Sequence, residues 1–505
     1  MTDCSEMRDI VKYIYTDKEA KAIDAHAIQT VGMSGLVLME KAAMSVAAML
    51  TERETRECRI LAVCGTGNNG GDGIAAARIL HEMGYQAAVT VLGQTEHMTD
   101  ETKKQFEIAV GCHVPILPLS SVKEGLFDVM LDGIFGIGLS RDVEGLYEQI
   151  IQDMNASDAK IYALDIPSGI HAATGHVMKT AVKASCTVTF GMNKRGLVLY
   201  PGCMYAGEVI VADIGFPKVS RTCVQPALYC YEMDDLYRQL PVRPARSHKG
   251  TFGKVLVVAG SETMSGACFL AAKAAYRIGA GMVRVVSTEN NRNVLLTALP
   301  EILFSTREEI TDGISWADAV VIGPGLGLTD DAMELVRYVL ENSPVPTVID
   351  GDAIRLCGQI TDTFTDNFIL TPHVKEMSYL TGMSVEELQQ DIVGTTMDTA
   401  EQTGCILVQK DARTVVSDGG ECYINLSGNN GMATGGSGDV LAGMIGGLLV
   451  QGMEPFAAAK LGVFLHGLAG DVQALKKGYH SMMASDLLEG IADVLSNKEA
   501  DDERI

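Results

Sequence analysis

The chain has 505 residues, 47% of them hydrophobic and 21% charged, with 40 Lys and Arg against 64 Asp and Glu for a formal charge of −24. These proportions exclude a disordered chain, and at roughly 150 residues per domain the length predicts two or three domains with separate cores. The acidic balance argues against a nucleic-acid binder, because neutralising phosphates takes clustered Lys and Arg, but it leaves room for an anionic ligand held by backbone N–H groups.

The stretch Met1–Ile10 carries three acidic residues and no apolar core, unlike a secretory signal. Thr16-Asp17-Lys18-Glu19 reads as a cap and first turn, with helix through Ala20–Ile28, and a second helix is predicted over Ser34–Leu50. The period then changes. Arg59–Cys64 is a short apolar run ending in a glycine-rich loop, and Ile74–Met83 reads again as helix. Ala87–Leu92, Phe127–Leu131, Lys160–Leu164, Ala184–Phe190 and Glu208–Ala212 follow as strands. Apolar strands separated by helices predict a mostly parallel sheet covered on both faces.

Gly215-Phe216-Pro217 ends that series, and Pro241, Arg243, Pro244, Arg246, His248 and Lys249 make a basic, proline-containing segment. The domain boundary is placed between residues 225 and 235, dividing the chain into 1–228 and 229–505. The alternation then restarts. Lys254–Ala259 is a strand and Gly266–Ile278 a helix, with further strands at Met282–Val286, Ala319–Ile322, Thr347–Ile349, Phe368–Leu370 and Ile406–Gln409. Thr414–Ser417 and Glu421–Ile424 form a hairpin around Asp418-Gly419-Gly420, and helices close the chain, with a charged, frayed tail at Asn497–Ile505. Val440–Met453 is the most apolar stretch, too short and glycine-rich for a membrane span. Twelve scattered cysteines with no C-x-x-C pair, Cys64, Cys268 and Cys405 among them, read as reduced, mostly buried thiols. The fold class is therefore α/β in two tandem domains, and the expected setting is the cytoplasm, without membrane or nucleic acid.

Two constellations carry chemistry. In the first, Gly65-Thr66-Gly67-Asn68-Asn69-Gly70-Gly71-Asp72-Gly73 follows a strand and opens a helix, so backbone N–H groups and the positive helix end face an anion. Such a run is also a common structural turn. However, two more loops leave the same sheet edge, Asp132-Gly133-Ile134-Phe135-Gly136 and Asp165-Ile166-Pro167-Ser168-Gly169. Ligands bind at that edge of open α/β sheets. Asn69, Asp132 and the Ser168 hydroxyl are hard oxygen donors suited to a weakly charged cation, which leaves Asp165 free as a general acid or base.

These loops resemble the signature loops of the NAD(P)H-hydrate epimerase family, over roughly residues 10–220. The resemblance implies a Rossmann-like three-layer fold that interconverts the R and S forms of hydrated NADH and NADPH at C6 of the nicotinamide. It implies Asp165 as the catalytic carboxylate and K+ held by Asn69, Asp132 and Ser168. Substrate would be met by Asn68, Asn69, Asp72 and the segment Gly136, Ile137, Gly138, Leu139, Ser140, Arg141 and Asp142.

In the second constellation, Gly435-Gly436-Ser437-Gly438-Asp439 precedes an apolar helix whose first N–H groups would form an anion hole beside Asp439. An isolated Gly-Ser-Gly-Asp is as readily a helix cap. Here three other strand-end loops join it: Gly323-Pro324-Gly325-Leu326-Gly327, Thr371-Pro372-His373 and Lys410-Asp411-Ala412-Arg413-Thr414. The residues resemble the ribokinase-like superfamily, and within it the ADP- or ATP-dependent NAD(P)H-hydrate dehydratases, over roughly residues 235–495. That likeness implies Asp439 as catalytic carboxylate. It assigns the nucleotide to Lys410, Asp411, Ala412, Arg413, Thr414, Gly435, Gly436, Ser437 and Gly438. The hydrated dinucleotide falls to Ala267, Gly327, His373 and Asp439, with Mg2+ as cofactor and ADP favoured over ATP. His248-Lys249-Gly250 and Gly253 resemble the loop that opens the domain. Val374-Lys375 stand where the family often has Pro-Gly, and Asp411 where it often has Gly.

The tandem order is that of bacterial bifunctional NAD(P)H-hydrate repair enzymes, which implies a homo-oligomer, a tetramer or larger. Two other readings compete. One is a ribokinase-like small-molecule kinase fused to a dinucleotide-binding domain. The other is a noncatalytic scaffold for the first half, which would lack Asp165.

Overall fold

Alternating residues of the strand Arg59–Cys64 serve two different cores, which is how a central parallel strand is buried. Ile60, Ala62 and Cys64 join one apolar cluster, with Ala43, Leu50, Ile74 and Leu80. Leu61 and Val63 join the other, with Met130, Ile150 and Ile161. The computed structural model describes residues 12–361 and 363–502. It divides into two compact units, residues 13–226 and, with Lys12, the described chain from Ala227 onward. The leader reading of Met1–Ile10 lies outside the described residues.

In the first unit a six-stranded parallel sheet runs in the order Gln86–Val91, Arg59–Cys64, Val129–Gly133, Lys160–Leu164, Cys186–Phe190, Glu208–Ala212. Chain order reverses between Arg59–Cys64 and Val129–Gly133. Such a switch point opens a crevice at the carboxyl ends of the strands. The capping box predicted at Thr16 is present, with Glu19 reciprocating. One boundary differs. The helix read from Ile74 begins at Asn68 and runs to Glu82. Gly70, Gly71 and Gly73 of the glycine-rich run fall in its first two turns, where a β-carbon at Gly70 would collide with the Gly65 carbonyl. Close approach of backbone, not looseness, is their reason.

In the second unit the parallel strands run Leu303–Thr306, Met282–Ser287, Lys254–Val258, Ala319–Ile322, Thr347–Ile349, Phe368–Leu370, Ile406–Gln409. The antiparallel hairpin Val415–Ser417 and Cys422–Ile424 follows, and Leu228–Cys230 pairs parallel to its outer strand. Chain order reverses between Lys254–Val258 and Ala319–Ile322, giving a second crevice of the same kind. The apolar stretch after Asp439 is a core helix, Ser437–Leu449, buried from Val440 to Leu449 and packed on Ser265–Arg277. Among the described residues no helix is long and apolar enough to cross a membrane. The closing helix Ala484–Asp502 carries regular structure through the tail expected to fray from Asn497, while 503–505 lie outside the described residues. Cys64, Cys268 and Cys405 are buried thiols and Cys223 is an exposed one.

Candidate active sites

The crevice of the first unit is a cavity of about 600 Å³, within the usual range for small-molecule sites. Asn68, Asn69, Asp72, Gly136, Ile137, Gly138, Leu139, Ser140, Arg141 and Asp165 all line it. Asp142, expected beside them, is exposed and does not belong to the lining.

Asp132 and Ser168 are fully buried behind this wall. The Ser168 amide donates to Asp132 Oδ2 (2.7 Å) and its hydroxyl to Oδ1 (2.6 Å). Burial pushes the Asp132 carboxyl up to about 6, against the pull of the Ser168 hydrogen bonds. The Asn69 amide donates through Nδ2 to the Phe135 carbonyl (2.9 Å), which lies 3.2 Å from Ser168 Oγ. Asn69 Oδ1 is buried with no hydrogen-bond partner. An orphaned buried carbonyl oxygen is costly unless something electropositive meets it. Asn69, Asp132, Ser168 and the Phe135 carbonyl thus form a hard-oxygen donor set that fits a cation of low charge.

Asp165 is not free, as its sequence context had implied. Its backbone is left-handed, φ 63°, a conformation that costs a non-glycine residue on the order of 1 kcal/mol and clusters at functional sites. The Phe190 amide and the Thr189 hydroxyl donate to its Oδ1 at 3.2 and 3.3 Å. The buried Lys194 ammonium makes an ion pair with the same oxygen. Asp72 is half-buried, and desolvation together with the charges of Asp165 and Asp24 drives its carboxyl well above the ordinary range. Sequence reasoning missed Lys194, because Asn193-Lys194-Arg195 has the composition of a solvated turn.

In the second unit the strand-end loops converge around a carboxylate that the sequence reading also missed. Asp350 follows Thr347–Ile349 and is 2% exposed. It accepts from Thr371 Oγ1 (2.6 Å) and Lys410 Nζ (2.7 Å). Its signal was available: Ile349-Asp350-Gly351 repeats the apolar-strand, Asp, Gly pattern of Leu131-Asp132-Gly133. Lys410, expected to reach phosphates directly, is paired to Asp350 and lies 3.9 Å from Glu376 Oε2. Its ammonium is nevertheless 3.2 Å from where a β-carbon on Gly438 would stand, so it faces the N-terminus of Ser437–Leu449. Gly436 caps that helix at φ 97°, which only glycine adopts without strain. The first amides of a helix have no intrahelical acceptor; the Ser437 amide donates to the Thr434 carbonyl (3.4 Å), which leaves Gly438 and Asp439 to present N–H groups at the positive dipole end. His466, pushed down to about 4 by burial and therefore neutral, donates through Nε2 to the Ser437 carbonyl (3.0 Å) and steadies the turn.

Desolvation, and then the neighbouring Asp350 charge, pushes Asp439 up to about 7 although Lys410 opposes it. Burial likewise pushes Glu376 to about 7. The His373 ring caps its own helix, accepting from the Lys375 and Glu376 amides at 3.1 and 3.2 Å. Burial and Lys410 hold it below its usual pKa. Ala267 in the first turn of Ser265–Arg277 abuts Gly325, and the Gly327 amide donates to Asp352 Oδ2 (2.8 Å). In the remaining segment Asp411 is exposed, Arg413 donates to the Leu426 carbonyl (3.2 Å) and Thr414 to the Asp411 carbonyl (3.2 Å).

A Rossmann-like unit followed by a ribokinase-like unit, each with an Asp at a strand-end crevice, defines a two-site α/β enzyme. Residues 255–493 match the family model described as NAD(P)H-hydrate dehydratase, and residues 35–196 that of the YjeF-related protein N-terminus. The chain is 36% identical to the bifunctional NAD(P)H-hydrate repair enzyme of Thermofilum pendens over 93% of this chain and 94% of that one. A ribokinase-like superfamily protein from Enterococcus faecalis is 30% identical, with TM-score 0.51 over 55% of this chain and 98% of its own. The ADP/ATP-dependent NAD(P)H-hydrate dehydratase of Bacillus subtilis, co-crystallised with ATP and Mg2+, is 31% identical over 53% of this chain and 97% of its own, with TM-score 0.48. The chain belongs to the bifunctional NAD(P)H-hydrate repair enzyme family, and is an enzyme with an epimerase domain followed by a dehydratase domain.

Proposed function

We propose that residues 1–228 equilibrate the R and S epimers of hydrated NADH and NADPH, and that residues 229–505 dehydrate the S epimer with ADP, giving NAD(P)H, AMP and phosphate. The observation that carries the reading is that each site places a carboxylate, Asp165 lining the first cavity and Asp439 held near 7 in the second unit, beside glycine-rich loops at the strand ends. In the first unit Asp165 protonates the C6 hydroxyl as it leaves, driven out by the ring nitrogen lone pair. Asp165 then takes the proton of the water that returns to the other face of the planar ring. In the second unit Asp439 accepts the proton of the C6 hydroxyl as its oxygen attacks the terminal phosphoryl group, with the helix amides receiving the developing charge. Expulsion of phosphate and loss of the C5 proton restore the ring.

K+ fits the donor set of Asn69, Asp132, Ser168 and the Phe135 carbonyl, where it would supply positive potential beside the dinucleotide phosphates. Among the described residues no group of three His, Cys, Asp or Glu is arranged to hold a metal, so Mg2+ would arrive with the nucleotide phosphates. The enzyme acts in the cytoplasm as a homo-oligomer on this reading.

The test is to mix hydrated NADH with ADP or ATP and follow the regenerated NADH by absorbance. Recovery of NADH with stoichiometric phosphate is expected, faster with ADP. Accumulation of a phosphorylated small alcohol instead would establish the kinase reading. The cation site has its own test. Asn69→Ala should raise the K+ concentration needed for half-maximal epimerisation roughly 10- to 100-fold. An unchanged K+ dependence would remove Asn69 from the site.

A further inference from the structure

We propose that Lys194 is a positioning residue of the epimerase site, which fixes Asp165 so that a single carboxylate oxygen is presented to the reacting ring; this rests on Asp165 being the proton-transfer group. Lys194 stands on a two-residue strand, Asn193–Lys194, reached through Gly191 at φ 71°. That strand pairs in parallel with Ile14 and Tyr15, so the main chain beneath the lysine is anchored independently of the cavity. The side chain is among the largest fully buried ones in the molecule. An ammonium has three protons, and three acceptors meet it: Asp165 Oδ1, Thr189 Oγ1 at 2.8 Å and the Phe190 carbonyl at 3.0 Å.

The arrangement on the other partner is one-sided. Lys194, Thr189 and the Phe190 amide all reach Oδ1 of Asp165, which leaves Oδ2 as the oxygen for the cavity that Asp165 lines. A buried lysine so fully engaged is unavailable as a nucleophile or proton shuttle, and its effect passes through the aspartate. The other charged groups around the cavity are Lys21 and Asp24 on Asp17–Ala25, Asp72 on Asn68–Glu82, Glu101 on Asp100–Gly111, and Arg141. Three carboxylates, Asp24, Asp72 and Asp165, are electrostatically coupled there, and burial raises the first two above their ordinary range. Lys194 is the buried cation beside them, in an ion pair with Asp165 and opposing the rise at Asp72.

The test uses the full chain and separated R and S epimers, following their interconversion by chromatography across pH. Lys194→Met should lower kcat about 100-fold, at the lower end of what acid–base groups contribute, with KM changed less than about threefold. Asp165 starts the proposed cycle protonated, so the alkaline limb of the profile, where that proton is lost, should move to higher pH. Lys194→Arg, which keeps the charge, should keep the limb where it is, and it carries the test if the Met variant does not fold by near-UV circular dichroism. Thr189→Val, which removes one acceptor and no charge, should lower kcat without moving the limb. In the Asp165→Asn background Lys194→Met should cost nothing further, because the lysine acts only through Asp165. A folded Lys194→Met variant with wild-type kcat and an unmoved limb would overturn the proposal, as would a limb displaced in Lys194→Arg. If Asp165→Asn itself retains epimerisation, the underlying reading of Asp165 fails instead, so the two failures are distinguishable.

Discussion

Replacing Asp439 with Asn is expected to lower the rate of dehydration about a thousandfold, within the range that a positioned base contributes, while epimerisation continues. In the native enzyme the carboxyl sits near pH 7 because burial and the Asp350 charge outweigh Lys410. In the proposed role it must be ionised to accept the hydroxyl proton, so kcat for dehydration should fall as pH drops below about 7. The same shift has a thermodynamic signature of known sign. A carboxyl raised from 3.8 to about 7 holds its proton more tightly folded than unfolded. Its contribution to stability is complete below about pH 4 and is lost as pH rises through about 7. The amide introduced by Asp439→Asn cannot ionise, so the variant should lose less stability than the wild type between pH 5 and pH 8. Its Tm at pH 8 should sit on the order of a few degrees higher. Glu376, also near 7, preserves part of the slope. Thermal melts at the two pH values decide it. Equal slopes, or dehydration surviving in the variant, would remove Asp439 from its role.

Asp165→Asn is expected to slow epimerisation by a comparable factor, roughly 100- to 10,000-fold, and to leave turnover of the pure S epimer with ADP intact. The asymmetry is diagnostic. Supplied with mixed epimers, the variant should convert the S fraction promptly and stall on the R fraction, where the wild type runs to completion. Asn keeps the size of the side chain and tolerates the left-handed backbone at this position, so lost activity would not trace to a displaced loop. Continued consumption of the R epimer at the wild-type rate would count against the assignment.

The two α/β halves were legible in the sequence because buried parallel strands leave continuous apolar runs, as at Lys160–Leu164, Ala319–Ile322 and Ile406–Gln409, each of which has the limits expected. Two other strands gave no such signal. Leu303–Thr306, at the edge of its sheet, is partly exposed, and Leu228–Cys230 is only three residues long. The same physics divided the sites. Asp132, Asp165 and Asp439 announce themselves as carboxylates closing apolar runs or opening a glycine turn. Lys194 did not, and neither did the pairing of Asp350 with Lys410, although each of those two residues carried a local signal. Their meaning depends on a partner 29 or 60 residues away in the chain, and a charge buried by a distant partner looks locally like one in water.

The division of the chain at Pro226 and Ala227 into units with separate cores also bears on supply. Translation yields one isomerising centre for every dehydrating centre, whatever the expression level. Their ratio cannot drift as it would between two genes. Under a burst of cofactor damage the slower centre alone sets throughput, and selection for faster repair would act on that half without disturbing the architecture of the other.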